Sequence, residues 1–170
     1  RLQDARLADV AAVLKAPAVE IVDRVKALFD ERRSLVQRVE VLEAKLALTG
    51  IETEPFVGNV KYAAATLKNT PASALRPMID DLRRKVGTGF VILTSEFDGK
   101  YSVVAGVTAD LTSRLSAVEI VNVLAHELGG NRGGGKPEFA QAGLGTLDGL
   151  EQALANVKTV IDQSLNRVGD

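Results

Sequence analysis

The chain has no cysteine and only one histidine, His126, in its 170 residues. The first absence excludes disulfides and any thiolate-held metal, and the second excludes a histidine-rich metal centre. Charge of one sign is also lacking: 21 Lys and Arg stand against 22 Asp and Glu, for a net charge of −1. No global field therefore steers the molecule toward nucleic acid. Any RNA contact has to come from a local patch, and weak affinity is expected of the chain by itself. No apolar run approaches the ~20 residues of a membrane span, so no membrane partner is expected. Internal repeats and low-complexity segments are missing. The chain opens on Arg1, with neither Met nor a signal-peptide pattern. It reads as an excised piece of a longer cytoplasmic protein.

What is present suffices for one domain and an appendage, with 46% hydrophobic residues to build a core. Residues 1–50 read as helical. Leu7, Val10, Ala11 and Leu14 make one apolar stripe, and Pro17 forces a break. A second helix over 17–49, about 50 Å long at 1.5 Å per residue, carries Ile21, Val25, Leu28, Leu35, Val39, Leu42 and Leu46. Their spacings alternate between four and three, with Arg32 the polar member of the seam. This is a heptad pattern over roughly four repeats. A helix over 2–15 is too short to cover such a seam, so a second copy of the chain is expected along it, giving a homodimer.

Residues 51–58 contain Pro and Gly without periodicity and read as a linker between the helical arm, 1–50, and a globular domain, 59–170. Within that domain Val60–Leu67 reads as a strand. A helix follows, with Ser73 as candidate N-cap, Pro77 in its first turn, a stripe of Leu75, Ile79, Leu82 and Val86, and Gly87 as terminator. Asp98-Gly99 marks a hairpin between strands over 90–96 and 101–107. Ser116 and Glu119 spell a capping box ahead of Val121, Leu124 and Leu128, with Gly129 past the end. Leu147, Leu150, Leu154, Val157, Ile161 and Leu165 read as a last long helix. The fold class is α/β: a long coiled-coil-like helical arm, then a small mixed sheet covered by helices.

The most informative stretch is Gly129-Gly130-Asn131-Arg132-Gly133-Gly134-Gly135-Lys136, with five glycines and two cations in eight residues. A bare backbone lets a ligand approach the main chain, and successive N–H groups can form an anion-binding concavity. Arg132 and Lys136 add formal charge. The ligand this suggests is a phosphate, of a nucleotide or of a nucleic-acid backbone. The competing reading is a turn between two helices.

The ordered tail of that stretch, Gly133-Gly134-Gly135-Lys136-Pro137-Glu138-Phe139-Ala140-Gln141-Ala142-Gly143, resembles the glycine-rich signature near the C-terminus of alanyl-tRNA synthetases. The resemblance extends upstream through Ser102-Val103-Val104-Ala105-Gly106-Val107-Thr108-Ala109-Asp110-Leu111-Thr112. It also takes in the helical lead-in at Asp23-Arg24-Val25-Lys26-Ala27-Leu28. One departure is Gly143-Leu144-Gly145-Thr146, where the synthetases usually run Gly-Gly-Thr. The resemblance implies a domain of the DHH-associated family, with a mixed sheet, forming the non-catalytic C-terminal module of an alanine–tRNA ligase. Such a module is implied to grip the elbow of tRNA(Ala), to dimerise, and to couple aminoacylation with editing by the catalytic and editing domains of the same parent chain. ATP, magnesium and zinc belong to those earlier domains, and no cofactor is implied for this segment. Gly130, Asn131, Arg132, Gly133, Gly134, Gly135, Lys136 and Gln141 are the candidate RNA-binding residues.

Alternatives remain at this point. The C-terminal domain of DHH phosphoesterases carries a shorter Gly-Gly-Gly-His pattern, and Lys136 in the histidine's place argues against it. A stand-alone alanyl-tRNA editing protein with a similar extension, or a purely structural dimerisation piece, would also carry such a segment.

Other constellations weigh less. Gly130-x-x-x-x-Gly135-Lys136 nearly spells a P-loop, but Pro137 stands where a hydroxyl would bind magnesium, and the loop follows a helix. His126 has no motif-placed catalytic partner. Asp80 and Asp81 are adjacent helix positions about 100° apart and do not converge on one site. Arg83-Arg84-Lys85, with Arg132, Lys136 and Lys61 or Lys68, is a candidate phosphate-tracking patch. Phe139 either stacks on an exposed base or anchors the loop in the core.

Overall fold

A computed structural model describes residues 1–167. The last three residues of the expected 59–170 domain lie outside the described residues. The chain divides into two compact units, Arg1–Glu40 and Val41–Asp170.

The first unit is helical. Helix α1 spans Leu2–Leu14 and ends where Lys15 turns left-handed at φ 50°, returning its N–H to Ala11 and Ala12. Pro17 follows two residues later, as expected of a residue that cannot continue a helix. After a 3₁₀ turn at Ala18–Glu20, helix α2 runs Ile21–Thr49 and carries the chain into the second unit. Along the seam Ile21 and Val25 are half-buried, whereas Leu28, Leu35 and Val39 are exposed.

The second unit is a six-stranded sheet with helices on both faces. Its strands are β1 (Glu54–Val57), β2 (Val60–Lys68), β3 (Gly89–Phe97), β4 (Lys100–Val107), β5 (Gly134–Lys136) and β6 (Phe139–Leu144), in the spatial order β1-β2-β3-β4-β6-β5. Only β2 and β3 are parallel, and helix α3 (Ala72–Val86) connects them. The Asp98-Gly99 turn closes the β3–β4 hairpin with φ of 51° and 71°, the paired positive angles of the turn that suits strand twist. Helices α4 (Ala117–Glu127) and α5 (Leu150–Asn166) complete the fold.

Alternation along the strands sorts the core into two layers. Phe90, Ile92, Val103, Ala105, Val107, Ala140 and Ala142 face α4 and α5. Ala63, Val91, Leu93 and Val104 face α3, where Leu75, Met78, Ile79, Leu82 and Val86 form its buried stripe. Full burial of each such side chain stabilises by about 1.5–3 kcal/mol. The end of α2 joins the α3 layer through Val41, Ala44 and Leu48. Leu42 and Leu46, the last two seam positions, therefore remain 60% and 72% exposed.

Several local expectations need correction. The segment read as a linker contains β1: Phe56 packs edge-on against Tyr62 and Phe90, and Lys158 Nζ lies 4.0 Å over the Tyr62 ring. Pro55 is tolerated there because β1 is an edge strand. Helix α3 starts after Pro71, whose fixed φ of −67° is the entry angle, so Ser73 lies within the first turn and caps nothing. Pro77 is then the sixth helical residue rather than part of the first turn, and the bond it would have donated to Ser73 is missing. Ser116 does cap α4, accepting from the Val118 N–H at 3.3 Å, but the return bond from Glu119 is absent from the described contacts.

The segment Ser102–Thr112 has a structural role. Thr108 Oγ1 accepts the Gly89 N–H at 2.9 Å and donates to the Gly89 carbonyl at 3.2 Å. Hydrogen bonds from Thr108 and Thr88 hold the Asp110 carboxyl below its ordinary range. Gly106 lets α3 approach β4, since a Cβ there would lie 2.5 Å from Ile79 Cγ2 and 3.0 Å from Arg83 Cδ. Gly106→Val should destabilise the domain by about 1–3 kcal/mol through overpacking. Urea denaturation should show a lower midpoint at unchanged slope.

Candidate nucleic-acid interface

The glycine stretch is not a free turn between helices. Leu128 ends α4 and Gly129 turns left-handed at φ 66°, so the Gly130 N–H reaches back to the Ala125 carbonyl at 2.7 Å. That is the six-to-one bond of a glycine-terminated helix. The chain then lies down along β6. The Asn131 N–H donates to the Gly143 carbonyl at 3.1 Å, and the Gly133 N–H donates to Asn122 Oδ1 at 2.8 Å. Gly134, Gly135 and Lys136 continue as β5, paired with Gln141, Ala140 and Phe139.

Most of these glycines are required by the approach to β6. A Cβ at Gly130 would lie 2.0 Å from the Gly143 carbonyl oxygen, and one at Gly133 would lie 2.3 Å from that of Gln141. Gly135, at φ 150°, would place its Cβ 2.3 Å from the Phe139 oxygen. Gly145 is similarly pressed on Gly129, and Leu128 O accepts both the Gly145 and Thr146 N–H groups. The extra residue after Gly143 is thus absorbed: β6 continues through Leu144, which is buried in the core. Gly134 and Gly143 differ from the rest. A Cβ on either would meet nothing within 4 Å, and neither has a left-handed φ. No internal packing explains why they are glycine.

Both open glycines line one groove, about 510 Å³ in volume. Arg132, Gly133 and Gln141 share its wall, Ser102 enters from β4, and Ala72 brings the start of α3. The groove exists because α3 covers β2, β3 and β4 and leaves the β6–β5 end of that face open. Among the described residues lining it, Arg132 is the only formal charge. The leading N–H groups of a helix lack intrahelical acceptors and carry partial positive charge, so Ala72 reinforces the sign. Arg132 makes no ion pair among the described residues.

The groove gathers Arg132, Gly133, Gly134 and Gln141 from the candidate set. It does not gather the others. The amides of Gly130, Asn131 and Gly133 are consumed internally, so a continuous nest of free N–H groups is not formed there. Lys136 sits at the far end of β5, roughly 13 Å from Arg132 along an extended chain, beside the Pro137-Glu138 turn. Phe139 is half-buried against the α3 layer with the Arg76 guanidinium 4.7 Å from its ring centroid, an anchor rather than an open stacking platform.

The wider cationic patch does not form. Arg83 bonds the Glu138 carbonyl at 3.0 Å and Asp80 at 2.5 Å, Arg84 pairs with Asp81 at 2.6 Å, and Lys85 reaches the Thr49 and Ile51 carbonyls. These side chains hold structure at the C-terminal end of α3, away from Arg132. Asp80 and Asp81 are accordingly ion-pair partners, each with its own arginine. Lys61 and Lys68 lie on β2, three intervening strands from β5. His126 is exposed near the end of α4. Among the described residues no three His, Asp or Glu side chains cluster to hold a metal ion.

Ala72, Ser102 and Asn122 join the site from distant parts of the chain. A polar Asn122 between Val121 and Val123 on an otherwise apolar stretch of helix was the one available signal.

A family model described as the DHHA1 domain matches residues 59–163. The chain is 44% identical over 158 residues to the alanine–tRNA ligase of Cereibacter sphaeroides, covering 92% of this chain and 18% of that protein. It spans less than a fifth of that relative's length. Among solved structures, the C-Ala domain of Aquifex aeolicus alanyl-tRNA synthetase matches with a TM-score of 0.59 at 24% identity, over 65% of this chain and 97% of that one. RecJ of Thermus thermophilus, in complex with Mg2+, matches with a TM-score of 0.55 at 18% identity, over 86% of this chain and 21% of that one. Both structural likenesses are of fold.

The two classes of glycine make opposite predictions. Gly133→Ala should lower the melting temperature, because the loop has to lift from β6. Gly134→Ala should melt close to the unsubstituted chain, with effects within about 1 kcal/mol, the intrinsic difference between the two residues. Thermal denaturation of the pair checks this.

Proposed function

Since the chain belongs to the DHHA1 domain family, we propose that it is the non-catalytic tRNA-binding and dimerising C-terminal module of an alanine–tRNA ligase. The observation that carries the RNA-binding part is the groove floored by Gly134 and Gly143, two glycines with no internal reason to lack a side chain, beside an unpaired Arg132. A bare floor admits a phosphate backbone to main-chain distance, and one unpaired guanidinium beside it offers directed, charge-assisted hydrogen bonds. Folded tRNA suits such a surface, because A-form RNA is recognised mostly through its backbone, 2′-hydroxyls and exposed loop bases. The elbow, where such loops meet, is the proposed contact. In the parent chain this grip serves both charging and editing, whose ATP, magnesium and zinc reside in other domains. The relatives named as alanine–tRNA ligases support that parent. A cytoplasmic setting fits that role, and no helix among the described residues is long and apolar enough to cross a membrane.

Arg132→Ala should weaken binding of an alanine-accepting tRNA transcript. It should also flatten the log–log salt dependence by roughly 0.7–0.9, the loss of one phosphate contact. Lys136→Ala, outside the groove, should do less. Fluorescence anisotropy across a salt series measures both. Superimposable curves for Arg132→Ala and wild type would remove the phosphate contact.

The dimerising part rests on the seam. Leu28, Leu35, Val39, Leu42 and Leu46 are exposed in the single chain, at 36% to 72%. Apolar residues repeated at heptad spacing and left uncovered fit a second helix of the same kind. Arg32 within the seam fits register selection at some cost in stability. Leu35→Asp with Leu42→Asp buries charge in that interface and should yield monomers by sedimentation. A wild-type chain that is itself monomeric at micromolar concentration would contradict the pairing.

A further inference from the structure

Three amides of residues 129–133 have internal acceptors, and two of those acceptors are main-chain carbonyls, Ala125 for Gly130 and Gly143 for Asn131. The third is a side chain: Asn122 Oδ1 takes the Gly133 N–H at 2.8 Å. Gly133 is held from both sides, since its α-carbon lies so close to β6 that a Cβ would meet the Gln141 oxygen at 2.3 Å. Arg132 is the preceding residue and has no ion-pair partner of its own among the described residues. Its direction into the groove therefore depends on how its backbone neighbours are pinned.

We propose that Asn122 is a positioning residue for the groove: it clamps Gly133 on β6 and so delivers Arg132 to the ligand. This inference rests on the tRNA-binding reading above. Asn122 is half-buried on α4, on the side of that helix facing the loop. Without its oxygen the Gly133 amide has no acceptor in place, and lifting the loop into water satisfies it instead. A lifted loop regains backbone freedom worth about 1–2 kcal/mol per residue, and Arg132 then samples many directions. The clamp acts on order rather than on charge, which separates it from a direct RNA contact.

The test is a double-mutant cycle on the 170-residue chain with an alanine-accepting tRNA transcript, joined to amide exchange at Gly133. Asn122→Ala should weaken binding roughly fivefold, in line with one net hydrogen bond, and flatten the salt dependence as Arg132→Ala does. The double variant should bind no worse than Arg132→Ala alone, because both changes remove the same contact. Exchange at Gly133 should speed up in Asn122→Ala, and Asn122→Asp, which keeps an acceptor oxygen, should restore its protection. A purely structural asparagine would lower stability and leave the two effects additive. Additive losses, or an Asn122→Ala chain that binds as wild type does, would overturn the proposal. A wild-type chain that fails to bind tRNA would sink the function itself and this role with it. That result is told apart from failure of the clamp alone, in which wild type binds and the cycle shows no coupling.

Discussion

The close approach of residues 130–135 to strand β6 is the constraint on which the site depends. Backbone meets backbone there at distances that leave no room for a Cβ at Gly130, Gly133 or Gly135. That contact turns a glycine-rich segment into a sheet edge, adds β5 to the order β4-β6-β5, and fixes where Arg132 emerges. Because α3 packs over β2, β3 and β4, the added strands extend past its cover. The groove is the uncovered remainder. Fold and site are thus one arrangement: remove the approach and the domain loses an edge strand and the groove its wall.

Charge follows the same geometry. A balanced chain presents cations in many places, and several of those beside the sheet are occupied. Arg83 ties α3 to the β5–β6 turn, Arg84 neutralises Asp81, Arg76 lies over Phe139, and Lys158 over Tyr62. What distinguishes Arg132 is that it is the one formal charge among the described residues lining the groove, and that it stands beside bare backbone. A single unpaired guanidinium over a floor without side chains is a weak electrostatic attractor and a selective one. It suits the tRNA-binding role proposed for the groove.

Much of this was legible in the sequence where periodicity is strong. The stripe of α3, the β3–β4 hairpin with Asp98-Gly99, the Gly129 stop of α4 and the face of α5 follow from spacing alone. Strands β5 and β6 did not, because Gly-Gly-Lys and Phe-Ala-Gln-Ala-Gly-Leu carry little strand propensity. They are strands because β4 offers β6 a partner and one face of β6 finds cover under α4. Strand β1 was hidden for a related reason: four residues with a proline read as linker until Phe56 has Tyr62 and Phe90 to pack on. Of the site, Arg132, Gly133, Gly134 and Gln141 were readable from one motif and do meet in space. Joining Arg132 to Arg83-Arg84-Lys85 was an error of topology, since Arg132 lies near the start of α3 and those three cations at its end. Asn122, Ser102 and Ala72 could come only from the fold.

The central claim is that nucleic acid enters the glycine-floored groove and not the arginine-rich end of α3. Amide chemical-shift mapping of the isotopically labelled chain during titration with an alanine-accepting tRNA transcript tests it most directly. The expected result is perturbation of Gly134, Gln141, Gly143, Ser102 and Ala72, with Arg83, Arg84 and Lys85 unmoved. Shifts centred on those three cations, with the groove amides unchanged, would contradict it.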